Sequence, residues 1–424
     1  MENDVPCEKR IRSSKDLDRI STLPKEVLDE ILTRMPIRDA VKTSQLGKGW
    51  KNRWMSIPSL LFDKKASQGT NDDNLAKFIN NVLLLHGGAI SKFECKDILQ
   101  CGSSEIDKWI LFLSLKNELQ YMNIVFKRKN PYKLPACLFA CQTLKKLVLG
   151  GCILKLPFQC LQLNYLTHLS LGKMYLTNAT VETLILKCPL LQYLRVLHCD
   201  PLTRLKIQAV NLISCTLYGS FDSISFQNTP KLELLKIWHS RVQAKCRLDE
   251  ILDSIIDIHK LSISYPSIEH FPIDSRAGRL KHIYTHLKFV KLLLDFDDSN
   301  QIFAVLCLCR SSPFLNQLNI TVGHCRKLVP SSDICFDGLG LEKEENLFCH
   351  LNFVSLRAFM GEMETELALV QFILLNAKVL KTMNITWSKI AYEKEKLFVV
   401  EKLMRCKRSS SEAAVVFRSP SWNC

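Results

Sequence analysis

Apolar positions recur along this chain in the spacing L-x-x-L-x-L. The pattern stands at Leu144, Leu147 and Leu149 and again at Leu166, Leu169 and Leu171. It returns with conservative changes at Leu191, Leu194 and Val196; Leu202, Leu205 and Ile207; Leu232, Leu235 and Ile237; Leu287, Val290 and Leu292; and Leu315, Leu318 and Ile320. Two more follow, at Leu351, Val354 and Leu356 and at Leu380, Met383 and Ile385. Residues two apart on a strand point the same way, so the last two apolar positions of each motif enter one core and the first fills the turn leading in. Such units cannot bury their own apolar face singly. Stacked in parallel they share a continuous core and leave the other face of the sheet free. Pro189, Pro230 and Pro313 stand two residues before the first leucine of their motifs, where a proline ends a preceding helix. One such helix is predicted over Ala179 to Lys187, with Val181, Leu184 and Ile185 inside it. The intervals from Leu191 to Leu202 and from Leu202 to Leu212 leave no room for a helix and predict loops or turns. Leu261, Ile263 and Tyr265 suggest one further strand.

The N-terminal stretch has a different period. Between Pro24 and Pro36, Val27, Leu28, Ile31, Leu32 and Met35 fall at steps of one, three and four, predicting one helix with a single apolar stripe, and Glu30 to Arg34 is a favourable i,i+4 pair. Pro24 suits the first helical position, and Pro36 stops the helix. A second helix is predicted from Ile37 to about Leu46, with Ile37, Ala40, Val41 and Ser44 on one side. Leu46, Trp50 and Trp54 repeat every four residues, as in a third helix, although Gly47 and Gly49 would each cost about 1 kcal/mol there relative to alanine. Three short helices cannot bury all these side chains among themselves, so apolar surface is left for a partner or for the next domain. Lys64 to Asn74 is polar and reads as a linker. Beyond it, Leu75 to His86 and Glu105 to Leu115 have helical spacing, and Ile90 to Cys95 alternates as a strand does, which suggests a unit covering the first repeat.

Two segments resemble known modules. The order Leu23-Pro24, Ile31-Leu32, Met35-Pro36, Ala40-Val41, Thr43-Ser44 and Trp50 resembles an F-box, with a departure at Gly47-Lys48-Gly49, where the family usually carries a small polar residue and two basic ones. The segment Leu351 to Leu356, a turn at Gly361, the apolar run Glu366 to Leu375 and then Asn376 to Met383 is similar to the FBD domain, with Lys378 where proline is common. Between them the repeats resemble leucine-rich repeats of irregular length. The whole is similar to the plant F-box/FBD/LRR-repeat family. That resemblance implies an α/β fold: a three-helix F-box, then an irregular solenoid with parallel strands inside and helices or loops on the convex side, closed by an FBD module. The boundaries it suggests are a disordered tail over 1–16, the F-box over 17–62, a linker and capping region over 63–130, repeats over 131–345, FBD over 346–390, and the end of FBD with a tail over 391–424.

The resemblance also implies a role. F-box proteins dock onto a Skp-type adaptor of a cullin-RING ubiquitin ligase (an SCF ligase) and present a target protein for ubiquitination. Carried over from the motif, the adaptor-binding residues are Leu23, Pro24, Ile31, Leu32, Val41 and Trp50. The same residues leave room for a repeat-based scaffold that recruits no ligase.

Composition narrows these readings. Hydrophobic residues make up 47% of the 424 residues and charged ones 23%, as in a folded globular chain. No apolar run reaches the length of a membrane span, and Met1 to Pro6 lacks a signal-peptide core, so an intracellular protein of the nucleus or cytoplasm is expected. The 18 cysteines are scattered in apolar runs with no C-x-x-C pair, which fits small buried hydrophobes better than disulfides or a metal site. A net charge of +15 favours acidic partners, but the basic residues are dispersed, with short clusters such as Lys9-Arg10-Ile11-Arg12, Lys127-Arg128-Lys129 and Lys407-Arg408, and no nucleic-acid-binding signature accompanies them. There is no G-x-S-x-G, no phosphate-binding glycine loop and no H-E-x-x-H, so neither catalysis nor a cofactor is expected.

Overall fold

The computed structural model describes residues 20, 23–62, 72–98, 102–127, 131–156, 163–239, 248–264, 278–296, 298–323, 344, 347–361 and 364–420. The expected tail over 1–16, the cluster Lys9 to Arg12, most of the polar linker and Tyr265 lie outside them. The chain divides into two compact units, residues 1–128 and 129–424.

The first unit begins with helices α1 (Lys25–Thr33) and α2 (Ile37–Lys42). Pro24 occupies the N-cap of α1, one position before the predicted one, and Pro36 caps α2 in the same way. The predicted third α-helix is absent. Residues 47–52 form turns, Asn52 adopts a left-handed φ of 66°, and a short 3-10 helix runs over Arg53–Ser56. Gly47 and Gly49 account for this, because each loses more backbone freedom in a helix than any other residue would. Strand β1 (Ser59–Phe62), helix α3 (Asp72–Leu85), β2 (Lys92–Ile98), α4 (Ser103–Lys116) and β3 (Tyr121–Phe126) follow. The three strands pair in parallel and in order, placing Leu60, Phe93 and Met122 in one row and Phe62, Cys95 and Ile124 in the next, all buried. The expected capping region is therefore built from strand–helix repeats of its own. The F-box segment is tied to them by, among other contacts, the amides of Gly87 and Gly88, which donate to the Met55 carbonyl at 3.0 and 3.2 Å, and by Arg38, which lies 5.7 Å from the centre of the Phe78 ring.

The second unit carries short strands β4 (Tyr132–Lys133), β5 (Lys146–Gly150) and β6 (Cys152–Ile153), then β7 (His168–Gly172), α5 (Asn178–Leu186), β8 (Tyr193–Leu197), β9 (Arg204–Gln208), β10 (Ser214–Gly219), β11 (Ser223–Gln227), β12 (Leu234–His239), α6 (Leu248–Asp253) and β13 (Lys260–Ser264). It continues with β14 (Phe289–Asp295), α7 (Ser299–Arg310), β15 (Gln317–Gly323), β16 (Phe353–Phe359), α8 (Glu364–Asn376), β17 (Thr382–Trp387), α9 (Glu393–Met404) and β18 (Ala414–Arg418). Among the described residues, β5, β7, β8, β10, β12, β13, β14, β15, β16, β17 and β18 lie side by side in that order, and the pairs from β5 to β18 are parallel. The second and third apolar positions of the main-sheet motifs are all buried, as are Leu261 and Ile263 on β13.

One motif belongs elsewhere. Leu205 and Ile207 lie on β9, which pairs with β11 in a separate two-stranded parallel sheet beneath the main one. Neither the interval from Leu191 to Leu202 nor that from Leu202 to Leu212 holds a helix, as predicted, but the second holds the strand β9 between its turns. The main-sheet strand at that place is β10, whose inward residues are Cys215 and Leu217. The second layer consequently reads α5, β9, β11, α6, with α5 packed on β9 and α6 on β11. Main-sheet strands begin at 168, 193, 214, 234 and 260, so the connections built from strands belong to the shortest intervals. An extended strand advances about 3.3 Å per residue against 1.5 Å for a helix, and so spans the layer with fewer residues. Pro189 and Pro313 follow α5 and α7 as predicted, whereas Pro230 follows the strand β11.

In the C-terminal part, α8 is apolar all round and buried accordingly. Its one buried acid, Glu366, accepts hydrogen bonds from the amides of Gly361 (2.7 Å) and Met360 (3.2 Å), tying the start of α8 to the backbone just past β16. Gly361 has φ +79°, and a Cβ there would stand 2.7 Å from Val399 Cγ2, so glycine is required on both counts. The chain continues past the predicted closing repeat through α9 to β18, which pairs along β17.

Candidate functional site

The first surface of interest lies on α1. Its apolar residues do not make one stripe. Leu28 and Leu32 point inward, with Leu32 fully buried, while Val27 and Ile31 are 42% and 37% exposed, four residues apart on the outer side. Pro24 is exposed and Leu23 partly so, and Leu46 stands 66% exposed after α2. Trp50 is 3% exposed and Val41 half-buried. The six residues drawn from the motif therefore separate: Leu23, Pro24 and Ile31 are accessible, Val41 is intermediate, and Leu32 and Trp50 support the module from within. Val27 and Leu46 were not among them. The signal for Val27 was its i,i+4 relation to Ile31. The module is braced by an ion pair between Arg53 and Asp29 at 3.1 Å, and Arg53 also donates to the Gly49 carbonyl, so the glycine turn is tied back to α1.

The second surface is the free face of the sheet in the second unit. Because the strands pair without offset, outward side chains form straight rows. The middle row reads Ser170, Arg195, Thr216, Lys236, Ser262, Lys291, Asn319, Ser355 and Asn384 from β7 to β17. The flanking rows contribute His168, Tyr193, Lys260 and Phe289 on one side and Tyr218, Trp238 and Arg357 on the other. Among the described residues, no Asp or Glu occupies these three rows between β5 and β18. The first unit differs: there Glu94 faces outward between Lys92 (3.5 Å) and Lys96, and these lysines outweigh its burial and hold its carboxyl below the usual range.

Aromatic groups organise the second face. Lys291 Nζ lies 5.2 Å from the centre of the Trp238 ring, Trp238 donates to Ser262 Oγ at 3.3 Å, and His168 stacks on Tyr193 with ring centres 4.2 Å apart. Burial, with Lys146 nearby, depresses the pKa of His168. Arg195, Tyr218, Lys236, Trp238 and Lys291 line an open recess of about 680 Å³.

Among the described residues no cluster of His, Cys, Asp or Glu is placed to hold a metal. Burial pushes the thiols of Cys141 and Cys309 up to about 12 and that of Cys199 up to about 11, which removes the thiolate needed for a nucleophile. No described helix is long and apolar enough to cross a membrane.

Family models match in the order of these elements: "F-box domain" over residues 20–62, the LRR repeats of "FBD-associated F-box protein At5g56370" over 106–320, and "FBD" over 347–385. The F-box/FBD/LRR-repeat protein At1g13570 of Arabidopsis thaliana is 31% identical over 94% of this chain and 98% of its own length. The chain belongs to the F-box/FBD/LRR-repeat family. Two further Arabidopsis thaliana relatives are the FBD-associated F-box protein At5g56370, 27% identical over 95% of this chain and 100% of its own, and F-box/LRR-repeat protein 13, 24% identical over 98% and 100%. For an F-box/FBD/LRR-repeat protein the match over 106–320 begins at α4, in the first unit, which agrees with the strand–helix repeats found there.

Proposed function

We propose that this F-box/FBD/LRR-repeat protein is the substrate-recognition subunit of an SCF-type ubiquitin ligase. The observation that carries the reading is the outward apolar strip of α1, Val27 and Ile31 beside exposed Pro24, within a segment matched by the F-box model. An apolar strip this close to a helix start suits docking by a Skp-type adaptor, with Leu23, Pro24 and Ile31 in contact and Leu32 and Trp50 holding the shape of the module. The sheet face then captures the target. The chain supplies proximity and orientation, raising the effective concentration of target lysines near the conjugating enzyme, and performs no chemistry itself. Its place of action is the nucleus or cytoplasm, where that machinery operates.

A purified full-length chain mixed with a Skp-type adaptor and cullin tests this. Wild type is expected to bring down both, and a Leu23→Ala, Pro24→Ala double variant neither. A folded wild type that retains no adaptor would favour the second reading, a scaffold without a ligase, to which the turn at Gly47 to Gly49 in place of a third helix lends support.

A further inference from the structure

The middle row of the free face alternates cation and small polar residue: Arg195, Thr216, Lys236, Ser262, Lys291, Asn319. Neighbouring strands lie about 4.8 Å apart, so cations on every second strand repeat at about 9.6 Å. Successive carboxylates of a ligand must match that interval. On a β-strand, side chains on one face repeat at about 6.6 to 6.8 Å, and same-face residues of a helix lie about 6 Å (i,i+4) or about 10.5 Å (i,i+7) apart, so both match the interval less closely than a polyproline II segment does. A polyproline II segment rises about 3.1 Å per residue with three residues per turn, returning a side chain to the same face every 9.3 Å or so. Its backbone makes no internal hydrogen bonds, and Thr216 and Asn319 between the cations offer partners to it, whereas Ser262 is buried beneath Trp238.

We infer that this face binds an extended acidic peptide segment carrying a carboxylate at every third residue, seated in turn on Arg195, Lys236 and Lys291. The inference rests on the sheet being the target-capturing surface and names the chemistry of what it captures. Charge complementarity is one-sided here, since among the described residues the three rows hold no Asp or Glu. Tyr218 and Trp238 bank the recess on one side. A nucleic acid fits less well: base stacking needs open aromatic faces, and the Lys291 ammonium covers a face of Trp238.

Fluorescence polarisation with the full chain decides the matter, using a labelled peptide of four Glu-Pro-Ser repeats, a peptide of the same composition with its glutamates contiguous, and a labelled oligothymidylate. The periodic peptide is expected to bind about tenfold tighter than the contiguous one, and Lys236→Glu with Lys291→Glu to lose it by at least about tenfold. Lys236→Gln with Lys291→Gln serves if the reversed variant does not fold. Equal affinity for both peptides, indifference to the substitutions, no peptide binding by wild type, or tighter binding of the oligothymidylate would each overturn the inference. Adaptor capture is measured on the same variants. Peptide binding lost with adaptor retained places the effect on the sheet, whereas a wild type that binds peptide but no adaptor removes the ligase role and leaves the peptide site standing.

Discussion

The division of α1 into an outer and an inner pair makes opposite demands on substitutions at adjacent positions. Val27 and Ile31 are 42% and 37% exposed, and full burial of such a side chain is worth about 1.5 to 3 kcal/mol, so covering the remaining exposed fraction of each contributes about 0.6 to 1.3 kcal/mol to a docked complex. Truncating both to alanine should therefore weaken adaptor binding by about 1 to 2 kcal/mol, a factor of roughly 5 to 30. Leu32, one residue after Ile31, is fully buried. Its truncation leaves a cavity and should cost about 2 to 5 kcal/mol of stability, reaching the adaptor only by unfolding the module. Calorimetric titration of full-length variants with the adaptor, beside their thermal unfolding curves, separates the two effects. The Val27→Ala, Ile31→Ala chain should melt close to wild type and bind weakly, and Leu32→Ala should lose melting temperature. Undiminished affinity in the double variant, or a Leu32→Ala chain as stable as wild type with reduced affinity, would refute the assignment of faces.

Three other outcomes are expected. His239 is buried at the end of β12, where desolvation lowers its pKa from 6.5 to about 4, so the folded state resists a proton that the unfolded chain accepts; stability is complete above pH 6.5 and falls by about 3 kcal/mol as pH drops toward 4. A His239→Phe variant, melted across that range, should lose this component of the pH dependence, and an unchanged slope would assign it to other groups. Gly361→Ala should destabilise the C-terminal repeats by about 2 kcal/mol or more, since the left-handed backbone alone costs roughly 1 to 2 kcal/mol for a side-chain-bearing residue and the new methyl meets Val399; hydrogen exchange of β16 and β17 would report it, and unchanged protection would count against it. Iodoacetamide at pH 8 should spare Cys141, Cys199 and Cys309 in the folded chain and label them after denaturation, as peptide mass spectrometry can read; labelling of the native chain at Cys309 would contradict its burial.

The leucine frame was legible in the sequence because its inward positions are invariably apolar, and burial of Leu147 and Leu149 or of Leu318 and Ile320 requires nothing less. Which layer a motif enters was not legible. Leu202, Leu205 and Ile207 show the same spacing on β9 as Leu191, Leu194 and Val196 on β8, since any strand buried on one side alternates alike. On β10 the inward position that a leucine would mark is filled by Cys215. Strand β1 escaped notice because Ser59 to Phe62 is too short to show a period. In the F-box segment, four-residue spacing at Leu46, Trp50 and Trp54 suggested a helix that two glycines prevent. Steps of one, three and four at Val27, Leu28, Ile31 and Leu32 describe a stripe broad enough to have both a buried and an exposed margin, and sequence alone does not draw the line between them. The outward rows were invisible for a different reason: they follow from zero offset between strands, a property of pairing and not of any single segment.

That constant register separates two kinds of freedom in the second unit. The intervals between successive main-sheet strands vary widely, yet Arg195, Lys236, Lys291 and Asn319 stay on one line. Residues gained or lost in a connection change the back of the molecule and leave the line where it was. A single residue gained inside a strand would turn its leucines toward water. Each repeat thus exposes one addressable position per row, and exchanging the residue at one address alters a single point of the face while its neighbours keep their places. Diversification of such a surface can proceed by substitution within strands and by length change between them, the two proceeding independently.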